Sequence, residues 1–279
     1  MIKRKSQNAN GRTPIVAALL AVLFVLGIAA VALSIGFGQL RQIWREQFRV
    51  EDRDLNVVIS SGKMVHPDVI TLHFGLTNGA NLATIPFAEL RAKLLERVPN
   101  IRDIRIERKM PNRVTVDVLE REPLARILPP RGQTETGRVA DLEGVVFCFS
   151  SNTALLPIVR EATESATVPG KHLTGAASAA LRLIELASQP DFSDIRVLEI
   201  DTSHKDYLLV TFGNYDRARI AWDHMLEDSR LSRDSLRHQL KNLSRAMAQH
   251  LTPRATLWIA TDWRSPGRVY ASDPSRGNQ

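Results

Sequence analysis

The chain has 279 residues, of which 44% are hydrophobic and 24% charged, a composition typical of folded proteins that argues against disorder, collagen and a polytopic transporter. Its single cysteine, Cys148, excludes an intramolecular disulfide and a cysteine-based zinc cluster. The formal net charge is +7, but the first 13 positions hold four basic residues and no acidic one. The remaining surplus is dispersed, so we expect no nucleic-acid partner.

A long uncharged stretch runs from Ile15 to Phe37, 23 consecutive residues that are mostly aliphatic. As a helix it would be about 34 Å long, which is enough to cross a bilayer. We predict a basic cytoplasmic tail over residues 1–14 and a transmembrane helix over residues 15–40. The rest of the chain would then lie outside the cytoplasmic membrane, because basic residues beside a span stay inside. The alternative is a cleaved signal peptide, since Ala30-Val31-Ala32 resembles a cleavage site.

The exported part is predicted to comprise a linker over residues 41–54, a mixed unit over 55–122, a larger β-rich domain over 123–272 and a tail over 273–279. Arginine recurs at every fourth position in the linker. This pattern indicates either a solvated connector or a segment in contact with lipid headgroups.

The mixed unit follows the order strand, helix, helix, strand, strand. Its first helix opens with Pro67 and is indicated by Val65, Val69 and Leu72 at helical spacing, with Gly75 as a natural end. A second helix follows Pro86 with one apolar stripe. Two runs of alternating apolar and polar residues then predict a hairpin with one buried face. The fold class is therefore α+β.

The β-rich domain shows mostly strand-like runs, with helices between them. Cys148 lies among apolar neighbours and is expected to be an inert residue of a packed strand. The last two runs predict a hairpin around Arg264-Ser265-Pro266-Gly267. The strand-like runs cover residues 124–128, 139–149, 195–212, 255–260 and 268–271, and the helices cover 176–187 and about 221–250.

No motif in the sequence predicts catalysis or cofactor binding. Ser60 and Lys63 have the spacing of the Ser-x-x-Lys motif, which contains the nucleophilic serine of penicillin-binding proteins. The Ser-Asp-Asn and Lys-Thr-Gly motifs that accompany it are absent. The seven histidines are scattered, and neither a His-Glu-x-x-His motif nor a phosphate-binding glycine loop occurs. We therefore expect no enzyme activity, no metal, no cofactor and no small-molecule substrate.

One basic stripe on the long helix has two interpretations. Its members fall on one helical face and form either a solvated surface or a contact for acidic partner segments or anionic envelope polymers. They are Arg230, Arg233, Arg237, Lys241 and Arg245.

The order of these features, and a set of local motifs, resemble the bacterial cell-division protein family FtsQ/DivIB, whose first exported unit is a POTRA domain. The match is strongest over residues 99–125 and moderate elsewhere. The matching motifs are Pro99-Asn100-Ile101, Ile104-Arg105-Ile106-Glu107-Arg108, Glu120-Arg121-Glu122-Pro123-Leu124-Ala125, Asp141-Leu142-Glu143-Gly144, Leu156-Pro157 and Asp262-Trp263-Arg264.

This resemblance implies a single N-terminal transmembrane helix, a β-α-α-β-β POTRA domain and then a β domain with helices. It also implies a non-enzymatic scaffold in the inner membrane at the division septum, with FtsB, FtsL and other divisome proteins as partners. A terminal strand with an unpaired edge can add a partner strand. The expected binding residues are Val269, Tyr270 and Ala271, and the supporting residues are Trp263 and Arg264.

Two alternatives belong to other functional classes. A POTRA unit also occurs in envelope assembly and secretion proteins, although the part after Pro123 lacks the regular amphipathic strands of a membrane barrel. The second alternative is a membrane-anchored envelope hydrolase that uses Ser60.

Overall fold

The structure is a computed structural model, and it describes residues 26–27, 42, 46–109, 111–129, 137–150, 152–160, 168–221, 230–249, 257–260 and 270–272. The fold is α+β, as predicted. Contacts divide the chain into two compact units. One comprises the chain up to Val58 with Phe74–Pro86 and Ile106–Thr115, and the other comprises Ile59–His73, Phe87–Arg105 and the chain from Val116 on.

The first described elements follow the predicted β-α-α-β-β order, preceded by one helical turn. Their three strands form one sheet in the order β1-β3-β2. The elements are α1 (Arg53–Asn56), β1 (Val57–Ser60), α2 (Pro67–Phe74), α3 (Phe87–Arg97), β2 (Ile101–Lys109) and β3 (Arg113–Glu120).

Local sequence explains where these elements begin and end. Proline is favourable in the first turn of a helix, and α2 begins at Pro67. Gly75, directly after α2, has a φ of 64°, a left-handed conformation that glycine adopts at little cost. In β3, Val114, Val116 and Val118 are buried while the residues between them are not, which confirms the predicted alternation.

The residues of α2 that are buried are not the ones whose spacing predicted this helix. Val69 and Leu72 are exposed, Leu72 by 81%, whereas Ile70 and Phe74 are buried. The helix has only eight residues, and its apolar side chains lie on more than one side. Periodicity therefore predicted the helix without identifying the side that packs.

Part of the predicted linker is packed rather than solvated. Phe48 and Val50 are buried, and their backbone pairs with the segment that follows α2. The Val50 N–H donates to the Ala80 carbonyl over 2.8 Å, and the Leu82 N–H donates to the Phe48 carbonyl over 3.0 Å.

The remaining strands form a nine-stranded sheet in the order β12-β11-β10-β9-β8-β7-β4-β5-β6. Neighbours pair antiparallel except for β4–β7, β7–β8 and β10–β11, which are parallel. The strands are β4 (Ala125–Leu128), β5 (Arg138–Ala140), β6 (Val146–Cys148), β7 (Ile158–Arg160), β8 (Val197–Asp201), β9 (Tyr207–Phe212), β10 (Arg217–Ala221), β11 (Leu257–Ala260) and β12 (Tyr270–Ser272).

Two helices, α4 (Gly175–Ala187) and α5 (Arg230–Gln249), contribute to one hydrophobic core with this sheet. Buried side chains of α4 and α5 belong to the same cluster as buried strand residues. The strand residues of that core include Ile127, Val159, Ile200, Val210, Ala218 and Trp258. Successive residues of a strand point to opposite faces of the sheet. The neighbours of these core residues within each strand therefore point to the face opposite the helices.

Three sequence-based expectations need correction or lie outside the described residues. Ala221 is the last residue of β10, so the long helix does not begin there; the alternating residues before it continue a strand that pairs with β9. Cys148 ends β6 and is exposed rather than packed. Of the predicted transmembrane helix over residues 15–40, only residues 26–27 are described. Within the described parts of the chain, none of the helices has the length and apolar character needed to cross a membrane.

Candidate partner-binding surfaces

The strand β12 forms one edge of the nine-stranded sheet. It pairs antiparallel with β11, with Ile259 opposite Tyr270 and Trp258 opposite Ala271. This pairing agrees with the hairpin predicted from the sequence. No strand among the described residues pairs with the outer side of β12. An edge strand of this kind presents backbone N–H and C=O groups to a partner chain.

The neighbouring strand β11 is fixed by a buried tryptophan. Trp258 is 4% exposed and belongs to the core that includes Leu236 and Leu240 of α5. Its indole Nε1–H donates to the Asp216 carboxylate over 3.3 Å, and that carboxylate also accepts from the Asn214 side chain over 2.9 Å. The edge strand therefore pairs with a strand anchored both by packing and by a hydrogen bond.

The structure describes two of the five predicted binding residues. Tyr270 and Ala271 lie in β12, whereas Val269, Trp263 and Arg264 lie outside the described residues. The sequence analysis did not identify Trp258 and Asp216, which support the edge. A tryptophan in the strand next to a predicted edge strand could have indicated a supporting role for Trp258. Its partner Asp216 could not be identified in this way, because it lies 42 positions away in the sequence.

The opposite edge of the sheet, β6, is occupied by other parts of the chain. The Val146 N–H donates to the Lys171 carbonyl over 2.9 Å, and the Val146 carbonyl accepts from the Gly170 N–H over 2.7 Å. The Gly144 carbonyl, just before β6, accepts from the Leu173 N–H over 2.8 Å. These bonds satisfy backbone groups that a partner strand would otherwise use.

The turn before β6 is held by a charged cluster, which we call the arginine latch and define as Arg102, Arg121, Asp141 and Glu143. Arg121 donates to Asp141 and, over 2.9 Å, to Glu143. Arg102 pairs with the same Glu143 over 2.6 Å. The side chains of Arg121 and Asp141 are 13% and 7% exposed. Removing either one would leave the other as a buried charge without its partner, which is costly. All four residues lie in the larger compact unit.

The latch shifts the protonation of its members. Hydrogen bonds from Arg121 and Arg102 lower the pKa of Glu143 below its ordinary value of 4.5. Burial alone would lower the pKa of the Arg121 guanidinium, but its hydrogen bonds to Asp141 and Glu143 outweigh that effect and raise the pKa. Both groups are therefore charged at neutral pH.

Glu120, next to the latch, has a structural role of its own. Its carboxylate accepts from the Val65 N–H over 2.7 Å and from the Met64 N–H over 3.0 Å. A Cβ atom at Gly62 would come within 2.2 Å of the same carboxylate. Glu120 and Arg121, at the end of the predicted POTRA unit, are thus engaged in contacts within the fold.

The geometry around Ser60 differs from that of a catalytic serine. The Ser-x-x-Lys nucleophile stands at the start of a helix, whereas Ser60 ends β1 and α2 begins only at Pro67. Among the residues described, no group of three or more His, Cys, Asp or Glu side chains is arranged to hold a metal ion.

The basic stripe lies along α5 with its members exposed. Arg237 donates to the Gln189 side chain over 3.1 Å, and Arg230 lies 4.0 Å from Asp234.

Comparison with known proteins identifies the mixed unit. Residues 55–121 match the family model of the POTRA domain, FtsQ-type. The chain is also similar to the cell division protein FtsQ of Koribacter versatilis (strain Ellin345), with 32% identity over 120 residues. That alignment covers 43% of this chain and 33% of the relative, so the match spans about a third of the relative's length. The resemblance read from the sequence is confirmed.

Proposed function

We propose that this chain, which belongs to the FtsQ/DivIB family through its FtsQ-type POTRA domain, is a non-enzymatic scaffold of the bacterial division machinery. It binds FtsB, which is itself paired with FtsL, along the edge strand β12. The observation that supports this proposal best is the position of β12 at a sheet edge without a described neighbour. The Koribacter relative is named as a cell division protein, which favours septation as the setting.

Strand addition is the mechanism that fits this edge. A partner segment lies beside β12 and exchanges backbone hydrogen bonds with it, while alternate side chains provide selectivity. The anchored strand β11 keeps β12 in place during binding, because Trp258 is held in the core and by Asp216. An edge that is ordered before binding lowers the entropic cost of association.

The uncharged stretch from Ile15 to Phe37 supports a location in the inner membrane. In this proposal the chain crosses that membrane once, with residues 1–14 in the cytoplasm and the POTRA and β domains outside. The POTRA domain provides a second surface, used for recruitment to the septum and for contacts with other divisome proteins. A fluorescent fusion is expected to collect at the constriction of dividing cells, and uniform envelope fluorescence would contradict the proposal.

The binding claim is tested with the full-length chain in non-ionic detergent and purified FtsB. The Val269→Pro variant removes the backbone N–H of the residue that directly precedes β12 in the sequence. Capture of FtsB is expected to fall about tenfold, equivalent to about 1.4 kcal/mol. Val269→Ala is the matched control, because it shortens the side chain but keeps the N–H, and it should retain capture.

The two variants must also be compared by thermal unfolding. An unchanged melting temperature with reduced capture supports strand addition. Equal capture by Val269→Pro and the original chain would exclude the terminal strand as the binding edge.

A further inference from the structure

A groove crosses the face of the nine-stranded sheet that lies opposite the helices. The strand register aligns one residue from each of five neighbouring strands, all on this face. They are Arg126, Ile158, Glu199, Thr211 and Arg217. We define the arginine groove as Arg126, Arg196 and Arg217 with Leu155, Glu199 and Tyr215, which line a cavity of about 580 Å³.

The groove has an excess of positive charge. It contains three guanidinium groups and one carboxylate, and that carboxylate, Glu199, pairs with Arg160 over 3.0 Å. The Nε atom of Arg126 is buried and has no hydrogen-bond partner among the residues that the structure describes. Leaving a buried charged donor unsatisfied is costly. Within the described residues, neither Arg196 nor Arg217 has an ion pair with a side chain, so the one carboxylate of the groove does not balance these two guanidinium groups.

The rest of the lining is mostly apolar, and two of its large side chains are exposed. Leu155 and Tyr215 are 80% and 71% exposed. Tyr215 has a φ of 65°, a left-handed conformation that is unfavourable for a bulky residue. This strained turn between β9 and β10 places an aromatic residue, rather than the usual glycine, beside the arginines. Such strain is found where a side chain must be held in a particular place.

The size of the groove indicates what kind of anion it accepts. Its volume of about 580 Å³ is far more than an inorganic ion needs. Arg126 and Arg217 are separated by four strand spacings, or about 19 Å. An extended peptide covers that distance with about six residues at about 3.3 Å each.

We propose that the arginine groove binds an extended acidic segment of a partner protein. Two carboxylates about six residues apart pair with Arg126 and Arg217, and intervening apolar side chains contact Leu155 and Tyr215. The groove is a second docking surface, because its centre at β8 lies four strand spacings, or about 19 Å, from β12. The inference rests on the proposed scaffold function, but it involves different residues.

The probe is a fluorescein-labelled decapeptide of valine and threonine with two glutamates six positions apart. Binding to the full-length chain in non-ionic detergent is followed by fluorescence anisotropy. Arg126→Gln and Arg217→Gln are each expected to weaken binding about tenfold, the effect of losing one charge-assisted hydrogen bond. Arg113→Gln, at an exposed arginine of β3, is the matched control and should bind as the original chain does.

Two control peptides separate charge from geometry. A peptide with glutamine in place of both glutamates should lose binding, and one with the glutamates two positions apart should bind several-fold more weakly. Tyr215→Ala, at an exposed position, tests the apolar contact and should also weaken binding.

Three outcomes would overturn the proposal. The glutamine peptide could bind equally well, the arginine variants could leave binding unchanged, or inorganic phosphate could displace the peptide at concentrations near its dissociation constant, which would indicate a small-anion site. Val269→Pro should leave peptide binding intact. Loss of FtsB capture in that variant with retained peptide binding therefore distinguishes the edge from the groove.

Discussion

The two edge strands of the nine-stranded sheet, β6 and β12, differ in the backbone partners on their outer sides. At β6, residues 170–173 supply backbone partners to Gly144 and Val146, and the arginine latch fixes the turn beside them. At β12, the structure describes a paired inner side and no strand on the outer side. The strand behind each edge is nevertheless well packed, since Val139 of β5 and Trp258 of β11 are both buried.

An edge strand without a described outer neighbour can therefore still be supported by a well-packed strand beside it. Unpaired edges invite aggregation, and proteins usually cover them or disrupt them. This chain covers one edge with its own backbone and supports the other from behind. The covered edge should therefore contribute to stability, and the open edge should contribute mainly to binding. The following variants test that division, from the largest expected effect to the smallest.

Removal of the latch arginine should have the largest effect on stability. Arg121→Gln leaves the Asp141 carboxylate, 7% exposed, without its cation. Breaking a buried ion pair in this way typically costs about 3 kcal/mol or more. Denaturant unfolding of the full-length chain measures the loss. Arg113→Gln serves as the exposed control, and a loss below about 1 kcal/mol for Arg121→Gln would show that the latch does not hold the covered edge.

Trp258→Phe should weaken the support of the open edge. The substitution keeps an aromatic ring in the core but removes the N–H that donates to Asp216. We expect a loss of about 2 kcal/mol in stability, accompanied by weaker capture of FtsB. Asp216→Asn keeps an oxygen acceptor at the site and should be milder. Full capture by Trp258→Phe would show that FtsB binding does not depend on the hydrogen bond between Trp258 and Asp216.

Gly144→Ala tests the turn at the covered edge. Gly144 has a φ of 82°, which costs an alanine about 1 kcal/mol. Its carbonyl also bonds to Leu173, so a change in the turn would disturb the cover of β6. Thermal unfolding should show a modest decrease, and capture of FtsB should be unaffected. A larger effect on capture than on stability would contradict the division between the edges.

Acidification should produce the smallest effect. The folded-state pKa of Glu143 is lowered by Arg121 and Arg102, so its contribution to stability is fully present above the ordinary value of 4.5 and is lost as the pH falls through the folded pKa. Because Glu143 is 43% exposed, we expect only about 0.5 kcal/mol. The difference in stability between the original chain and Glu143→Gln should shrink below pH 4.5, and a constant difference would contradict this account.

The elements of the POTRA domain were predictable because each has a local signal. Pro67 and Gly75 bound α2, and the alternating valines identify β3. The buried face of α2 was not predictable, since a short helix with apolar residues on several sides gives no unique answer. The end of β10 was missed because Ala221 fits a helix as well as a strand, and only its pairing with Tyr207 of β9 decides between them.

The surfaces were harder to predict than the elements. That a terminal strand lies at an edge follows from the chain order and from the resemblance to the family. The arginine groove depends on the register of five strands, and no local sequence pattern indicates that Arg126 and Arg217 lie in one row on the same face of the sheet. Likewise, the partner of Trp258 is a turn residue 42 positions away.

The parallel pairing of β10 and β11 has a consequence for the timing of synthesis. Parallel neighbours need a crossover between them, and here the chain passes through α5 before β11 can join the sheet. Strand β12 can therefore join the sheet only after α5 and β11 have been made. A product that stops before β12 would lack the strand that we propose for docking, and it would not compete for that partner with molecules that have the strand.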